Sequence, residues 1–489
     1  MSFSSSGEVF SWLSRFINLE RGQKPKSFRL DRMEILAELA GHPERCAPSI
    51  HIAGSKGKGS VTAMLAAMLT AAGFRAARYM SPHVIDIRER LCLGDSYFKE
   101  ETYIRAGDEL REIVEVSLPA AANPLFDRSL EDGCEPTYWE LLTLFFFLCA
   151  RKEGCDVMVV ETGMGGRLDS TNVLDPLASV ITLIELEHTA ILGKTITEVA
   201  GEKAGIIKQG KPLILAKQNE EALEVFRKKT CEKNSPLLYL PEIAEISNVD
   251  VSSRGTSFTI SFNEAGKSLL SAPLSLSIPV PGKVQAENAA LAIAALKTAF
   301  PRLTAATGNR ASNDQAQIEQ DAIRRGLESL NLPARFEKIA PASQDAAASQ
   351  DAAASQDAAS SDTPPFIIDG AHTPESLALC VETFCSLYGE GGVLVFGCAA
   401  DKDAAAMAKA AHSHFAKIFI TTPGNFKTSD PALVYETFAQ TAGREKTALV
   451  KNTHEAINAA RDFAQKNNLP ILGTGSFYLV SEIRKIICQ

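Results

Sequence analysis

The segment His51–Ser60, HIAGSKGKGS, constrains this chain most, because it joins a short apolar run to a helix-patterned run through a turn of glycines and lysines. Pro48 to Ala53 reads as a strand, and Val61, Met64, Leu65, Met68 and Leu69 recur at helical spacing until Gly73 supplies a stop. Gly54, Gly57 and Gly59 let backbone N–H groups converge at the helix N-terminus, where the dipole favours an anion. Lys58 would neutralise the outer phosphates. The order departs from G-x-x-x-x-G-K-[ST]: Ile52 stands where the first glycine belongs, and Gly59 separates Lys58 from Ser60. A glycine turn can also be purely structural. The residues Gly54, Ser55, Lys56, Gly57, Lys58, Gly59 and Ser60 therefore predict a nucleotide phosphate cradle and no particular reaction.

Around this turn, strands alternate with helices. Asp156–Val160, Ser179–Ile184 and Pro212–Ala216 are short apolar strands separated by helical patterns, which is the signature of a parallel α/β sheet. Residues 239–280 change character, with short alternating segments and a turn at Glu264–Lys267, and predict a small antiparallel appendage. A helix over Ala286–Phe300 follows, and another over Gln315–Leu330. Val393–Phe396, Lys417–Thr421, Thr447–Val450 and Leu469–Leu472 repeat the α/β rhythm, with Asp430 and Pro431 as N-cap and first residue of a helix. The expected fold is α/β: an N-terminal P-loop-type doubly wound sheet domain with the antiparallel appendage, residues 1–332, and a C-terminal Rossmann-like α/β domain, residues 333–489. Residues 304–314 read as a polar insertion. The repeat SQDAAASQDAAASQDAASSD within about 341–364 lacks the apolar side chains that would offset ordering, and reads as a disordered loop.

Composition limits the partners. A chain of 489 residues with a net charge of −9 has no global basic field, so nucleic acid is not an expected partner. Ten cysteines without a C-x-x-C pair suit reduced thiols and a cytoplasmic location. The N-terminus lacks a signal pattern; Phe10, Leu13, Phe16 and Ile17 fit one helix face instead. The longest apolar stretch, Leu141–Ala150, is too short for a bilayer and reads as a buried helix, so no membrane is expected.

Chemistry needs groups at the carboxyl ends of the strands. Glu161 follows DVMVV and opens ETGMGGRLDSTNV, whose glycines permit close approach to a ligand. A carboxylate there suits magnesium; its alternative reading is a loop cap. His188 is either a second metal ligand or a satisfied loop histidine. Thr195–Glu198 is a capping box that starts a helix carrying Lys203, which is a solvated helix lysine, or is modified, or engages phosphate.

Taken together, HIAGSKGKGS, YMSPHVIDIRERL, PTYWELLTLFFF, VVETGMGGRLDSTNV, LEHTAILGKTITEVAGEKAGIIKQGKP, VPGKVQAENAALA, LPARFEKI, IIDGAHTPES, GCAADKD and GTGSFYLVSEIR resemble, in family order from about residue 30 onward, the folylpolyglutamate synthases and bifunctional dihydrofolate synthases of the Mur ligase superfamily. The resemblance implies an ATP-dependent, commonly monomeric ligase that joins L-glutamate to dihydropteroate or a folate through an acyl phosphate. It implies that Lys58 and the Gly54–Ser60 backbone hold ATP phosphates, and that Ser81 and Glu161 coordinate a first magnesium. His188 and Lys203 would serve a second, the lysine being carbamylated. It further implies that Arg335 and His372 reach the phosphates, Asp369 the ribose and Asn288 adenine, the site being completed when the domains close. By the same analogy Trp139 stacks on the pterin, or is simply core. Arg88 and Arg90 would lie near that pocket, and Ser476 would hold glutamate or else cap a helix.

Several positions depart from the family pattern: Lys56 replaces an asparagine, Glu187 an aspartate, Val284 a histidine and Thr373 an asparagine, while TTPGNFKTSDPAL keeps little of the usual arginine motif. The competing expectations are a ligase adding an amino acid to a UDP-linked cell-wall precursor, disfavoured by Gly59 and SPHV, and a nucleotide binder whose catalysis has lapsed, disfavoured by the retained Lys58, Glu161, His188, Lys203, Arg335, Asp369 and His372.

Overall fold

The computed structural model describes residues 2–18, 28–121, 123, 126, 135–307, 315–340, 364–424 and 428–488. It separates into two compact units: Met1–Asp250, Thr256–Pro279 and Lys283–Asn331 form the first, and Val251–Gly255, Val280–Gly282 and Leu332–Gln489 the second. The expected repeat-rich insertion, but for Pro364, and most of the polar stretch 304–314 lie outside the described residues.

The first unit is built on eight strands: β1 Ser49–Ala53, β2 Ala76–Tyr79, β3 Leu91–Leu93, β4 Ser96–Tyr97, β5 Val157–Glu161, β6 Ala178–Ile181, β7 Leu213–Leu215 and β8 Leu237–Tyr239. Their order is β4-β3-β2-β5-β1-β6-β7-β8, parallel from β2 to β8, with β3 and β4 antiparallel. Register pairs His51 with Val160 and Ser179, and Ala53 with Ile181, so these residues share one face while Ile50, Ile52, Val159 and Val180 occupy the other. Both faces are apolar because both are covered. On the His51 face, Tyr79, Met158 and Val160 pack against helix Tyr138–Glu153, and Ala53, Ile181 and Leu215 against helices Ile196–Lys203 and Glu220–Glu232. On the opposite face, helix Lys58–Ala71 packs with helices Lys283–Thr307 and Gln315–Glu328. The sheet is doubly wound.

Helix Tyr138–Glu153 starts at a capping box between Thr137 and Glu140 and ends at Gly154, whose φ is 65°. Its Leu141–Ala150 stretch is completely buried. Helix Lys283–Thr307 outruns the expected Ala286–Phe300: Pro301 lies inside it and removes one main-chain hydrogen bond without ending it. That helix is long and apolar enough to cross a membrane, but it packs on the helix of the glycine turn and on β6 and β7. The N-terminal helix stops at Leu13, so Phe16 and Ile17 lie beyond it, and Phe16 reaches Trp12 edge-on at 5.0 Å instead.

The antiparallel appendage is a three-stranded sheet, β9 Ala244–Ser252, β10 Gly255–Phe262 and β11 Leu274–Ile278, in the order β11-β10-β9. In the second unit six strands, β12 Glu337–Ile339, β13 Phe366–Ile368, β14 Gly392–Phe396, β15 Phe415–Ile420, β16 Thr447–Leu449 and β17 Ile471–Thr474, follow the order β12-β13-β17-β14-β15-β16. All are parallel except β12, and Asp430 with Pro431 starts helix Pro431–Ala442 as expected.

Candidate active site

Four adjacent strands of the first unit, β2-β5-β1-β6, present their carboxyl ends along one edge, the crevice where open α/β sheets bind ligands. Each feeds an expected residue: β2 leads to Ser81, β5 closes on Glu161, β1 opens the glycine turn, and β6 leads to Glu187 and His188.

The turn is fixed before any ligand enters. Gly54 has φ 143° and Gly57 φ 89°, conformations side chains rarely adopt, and a Cβ on Gly54 would lie 2.9 Å from Thr182 Cβ. The Ser55 and Lys56 N–H groups donate to Leu183 O at 2.9 and 3.2 Å, and Ser55 Oγ donates to Glu185 O at 2.9 Å. Those two N–H groups are thus spent on the loop after β6, and the anion-directed donors narrow to the first turn of helix Lys58–Ala71. Gly57 caps that helix against the Asn288 amide, and Asn288 Nδ2 donates to Gln285 Oε1 at 3.1 Å.

Lys58 Nζ donates to Gly54 O at 2.8 Å. Lys203 is 1% exposed, and its Nζ donates to the same oxygen at 2.8 Å and to Glu187 Oε1 at 2.8 Å. Burial, with Lys58 nearby, lowers the Lys203 pKa to about 8 although Glu187 opposes the shift. Burial acts to raise Glu187, but Lys58, Lys203 and His188 together bring it down to about 2. His188 is exposed, with φ 48°, at the start of the short helix Thr189–Leu192.

Glu161 is 3% exposed and its Oε2 accepts the Ser81 N–H at 3.1 Å. A buried carboxylate held against the backbone of a serine is a hard oxygen donor of the kind magnesium takes. The Lys203 ammonium does not fit a second cation; only a form carrying an anionic oxygen would.

A string of polar groups, not foreseen in the sequence, braces the glycine loop after Glu161. Thr171 Oγ1 donates to Asp169 Oδ1 at 2.5 Å, and Asp169 Oδ2 accepts the Met164 N–H at 2.9 Å. With its proton committed, Thr171 Oγ1 accepts Nε2–H from the wholly buried His51 at 2.8 Å. His51 Nδ1 then carries only a lone pair, and burial with Lys208 holds the ring neutral, its pKa down at about 3. The D-S-T order, an N-cap for the turn Ser170–Val173, was the one local signal.

Trp139 stands beside this loop: its Cε3 would be 3.8 Å from a Cβ on Gly163. The guanidinium over Trp139 belongs to Arg90, at 5.0 Å, and Arg90 Nε donates to His83 Nδ1 at 2.9 Å. Arg88 is engaged elsewhere, paired with Asp86 at 2.8 Å and 4.4 Å from the Tyr97 ring centre.

In the second unit, Arg335 lies 4.5 Å over the Phe477 ring, and the same ring is 5.9 Å from His372, whose Nδ1 contacts Gly370 O at 2.9 Å. Asp369 accepts the N–H groups of Phe336 and Ala371, each at 2.8 Å. Burial raises its pKa while Arg335 and those donors oppose the shift. Gly370 admits no side chain, since a Cβ would lie 2.5 Å from the Phe477 ring. Ser476 Oγ accepts the Leu479 N–H at 3.1 Å and so caps helix Phe477–Cys488.

An α/β unit opening on a glycine-lysine turn, followed by a second α/β unit, is the layout of a Mur-type ligase, and the Mur ligase middle domain matches residues 132–296 and the Mur ligase glutamate ligase domain residues 355–477. The chain is 31% identical over 490 residues to dihydrofolate synthase/folylpolyglutamate synthase of Bacillus subtilis (strain 168), covering 99% of each. It belongs to the dihydrofolate synthase/folylpolyglutamate synthase family. Folylpolyglutamate synthase of Lacticaseibacillus casei is 28% identical, covering 93% of this chain and 94% of that one. The fold agrees with Mycobacterium tuberculosis folylpolyglutamate synthase complexed with ADP, at 25% identity, TM-score 0.81 and coverage of 99% and 98%. An FPGS–AMPPCP–folate complex superposes at 26% identity and TM-score 0.76, covering 98% of each chain.

Proposed function

We propose that the protein is an ATP-dependent ligase that joins L-glutamate to dihydropteroate, to a folate already bearing glutamate, or to both. The observation that carries this reading is the end-to-end likeness to the Bacillus subtilis synthase. The complexes of relatives with ADP, AMPPCP and folate support the same choice of substrates and weigh against a UDP-linked acceptor.

A carboxylate is a poor electrophile, so it must be activated before an amine can displace its oxygen. Its oxygen attacks the γ-phosphoryl of ATP, breaking the bond to the β-phosphate oxygen and leaving ADP and an acyl phosphate. The glutamate amine then attacks the acyl carbon, phosphate leaves and an amide remains. The helix start at Lys58–Ser60 would bind the phosphates, and Lys58, released from Gly54 O, would spread the charge that builds on the transferred group. Glu161 and Ser81 would hold one magnesium, which when bound neutralises phosphate charge. Carbamylated Lys203, with His188, would serve a second. Asn288 would contact adenine, Asp369 the ribose, and Arg335 and His372 the phosphates; Trp139 and Arg90 would line the pterin side. We infer a cytoplasmic monomer.

Incubating the purified protein with ATP, magnesium, glutamate and each acceptor separately, with phosphate release and product mass as readouts, tests the reading. One added glutamate on dihydropteroate, on a folate or on both is expected. No phosphate above background with either acceptor would overturn it.

A further inference from the structure

In the second unit, Cys385, Glu390 and His414, none of them among the residues assigned above, bring a sulfur, a carboxylate oxygen and a ring nitrogen within 4.8 Å of one another. Cys385 lies in the last turn of helix Pro374–Tyr388, and Glu390 sits between Gly389 and Gly391, with φ of 84° and 85°. Those two left-handed residues fold the chain back so that the carboxylate returns over the cysteine of the preceding turn. His414 comes from the turn before β15, and the Gly391 N–H donates to its carbonyl at 2.9 Å, locking the two segments together.

Both other groups aim at the Glu390 carboxylate. His414 Nδ1 meets its two oxygens at 3.1 and 3.0 Å, and the Cys385 sulfur lies within 4.8 Å of the same carboxylate, where burial and the Glu390 charge push its thiol pKa up to about 11. A sulfur, a ring nitrogen and a carboxylate thus face one point. A single divalent cation can bind all three: thiolate and carboxylate balance its charge, and neutral imidazole supplies the third donor. Sulfur, nitrogen and one oxygen select zinc-like ions over magnesium, which prefers oxygen alone. Cys385 and His414 are partly exposed, which leaves a fourth position for water.

We propose that Cys385, Glu390 and His414 form a binding site for a thiophilic divalent cation such as Zn²⁺, which clips the end of helix Pro374–Tyr388 to the turn before β15. Binding releases the thiol proton to solvent.

The test is titration of the full-length protein with Co²⁺ and Zn²⁺ in excess Mg²⁺, which masks oxygen-only sites. Expected are one thiolate-to-cobalt charge-transfer signal per chain, its displacement by Zn²⁺, and Zn²⁺ affinity lowered roughly tenfold or more in C385S and H414A, at least the loss seen when supporting groups of metal sites are removed. Absence of the thiolate signal in the wild type would overturn the proposal. So would a signal that persists in C385S, which would place the metal on another cysteine. Circular dichroism of the variants separates loss of the site from loss of the fold.

Discussion

Lys58 and Lys203 donate to the same carbonyl oxygen, that of Gly54, each at 2.8 Å. Two cations on one neutral acceptor repel each other, and Glu187 is the anion that makes the arrangement tolerable. Under the proposed function, an incoming phosphate would draw Lys58 off this shared acceptor.

Lys58→Ala should abolish ATP-dependent phosphate release while leaving the circular dichroism spectrum unchanged. Unaltered turnover would remove Lys58 from the reaction.

Lys203 should accept carbon dioxide more readily than an ordinary lysine. Only the neutral amine reacts, and with its pKa lowered to about 8 half of it is neutral at pH 8, against about 0.3% for an unshifted lysine. Enzyme incubated with labelled bicarbonate should show a carbamate signal that Lys203→Ala lacks, and a short carboxylic acid should partly restore the activity of that variant. A spectrum identical in both proteins counts against the modification.

Gly57→Ala should destabilise the first unit by ~1–3 kcal/mol, because φ is 89° and the new methyl would collide with the Asn288 amide. Adding Asn288→Ala should recover part of the Tm and none of the ATP affinity. If the double variant is no more stable than the single one, the backbone conformation alone sets the cost.

The buried His51 makes stability depend on acid. Its folded pKa is about 3, well below the unfolded value, so between those values the unfolded chain binds more protons and stability falls as pH falls. At pH 5 the loss from this residue is about 2 kcal/mol. Urea unfolding at pH 7 and pH 5 should show a smaller drop in His51→Gln, which can still donate to Thr171. Equal drops would show that His51 does not carry the effect.

Ser476→Ala should cost about 1 kcal/mol through the lost cap of helix Phe477–Cys488. A glutamate KM unchanged in this variant would leave capping as its whole role, whereas a raised KM would support contact with the incoming amino acid.

The features legible in the sequence were those written in neighbouring residues: the apolar strands, the Thr195–Glu198 capping box, the Asp430–Pro431 helix start, and the glycine turn. What escaped depended on partners far apart in the chain. Nothing local marks Glu187 as the anion for Lys203, or His51 as the donor to Thr171 120 residues away. Likewise IRERL offers two arginines of equal promise, and only the fold places Arg90 on Trp139 and Arg88 on Tyr97. The helix that runs through Pro301 escaped for the opposite reason, since packing outweighed a strong local stop.

Arg335 is flanked by two non-glycine residues with positive φ, Ala334 at 57° and Phe336 at 49°, while the Ala334 carbonyl accepts the Gly370 N–H at 2.9 Å and the Phe336 N–H donates to Asp369. Each such conformation costs on the order of 1–3 kcal/mol and persists only where its surroundings impose it. The second unit thus gives up robustness to aim one guanidinium. A more heat-resistant form of the protein is within reach through Ala334→Gly, and the same change would let Arg335 wander, so under the proposed role of Arg335 at the phosphates thermal tolerance and turnover should trade against each other at this single position.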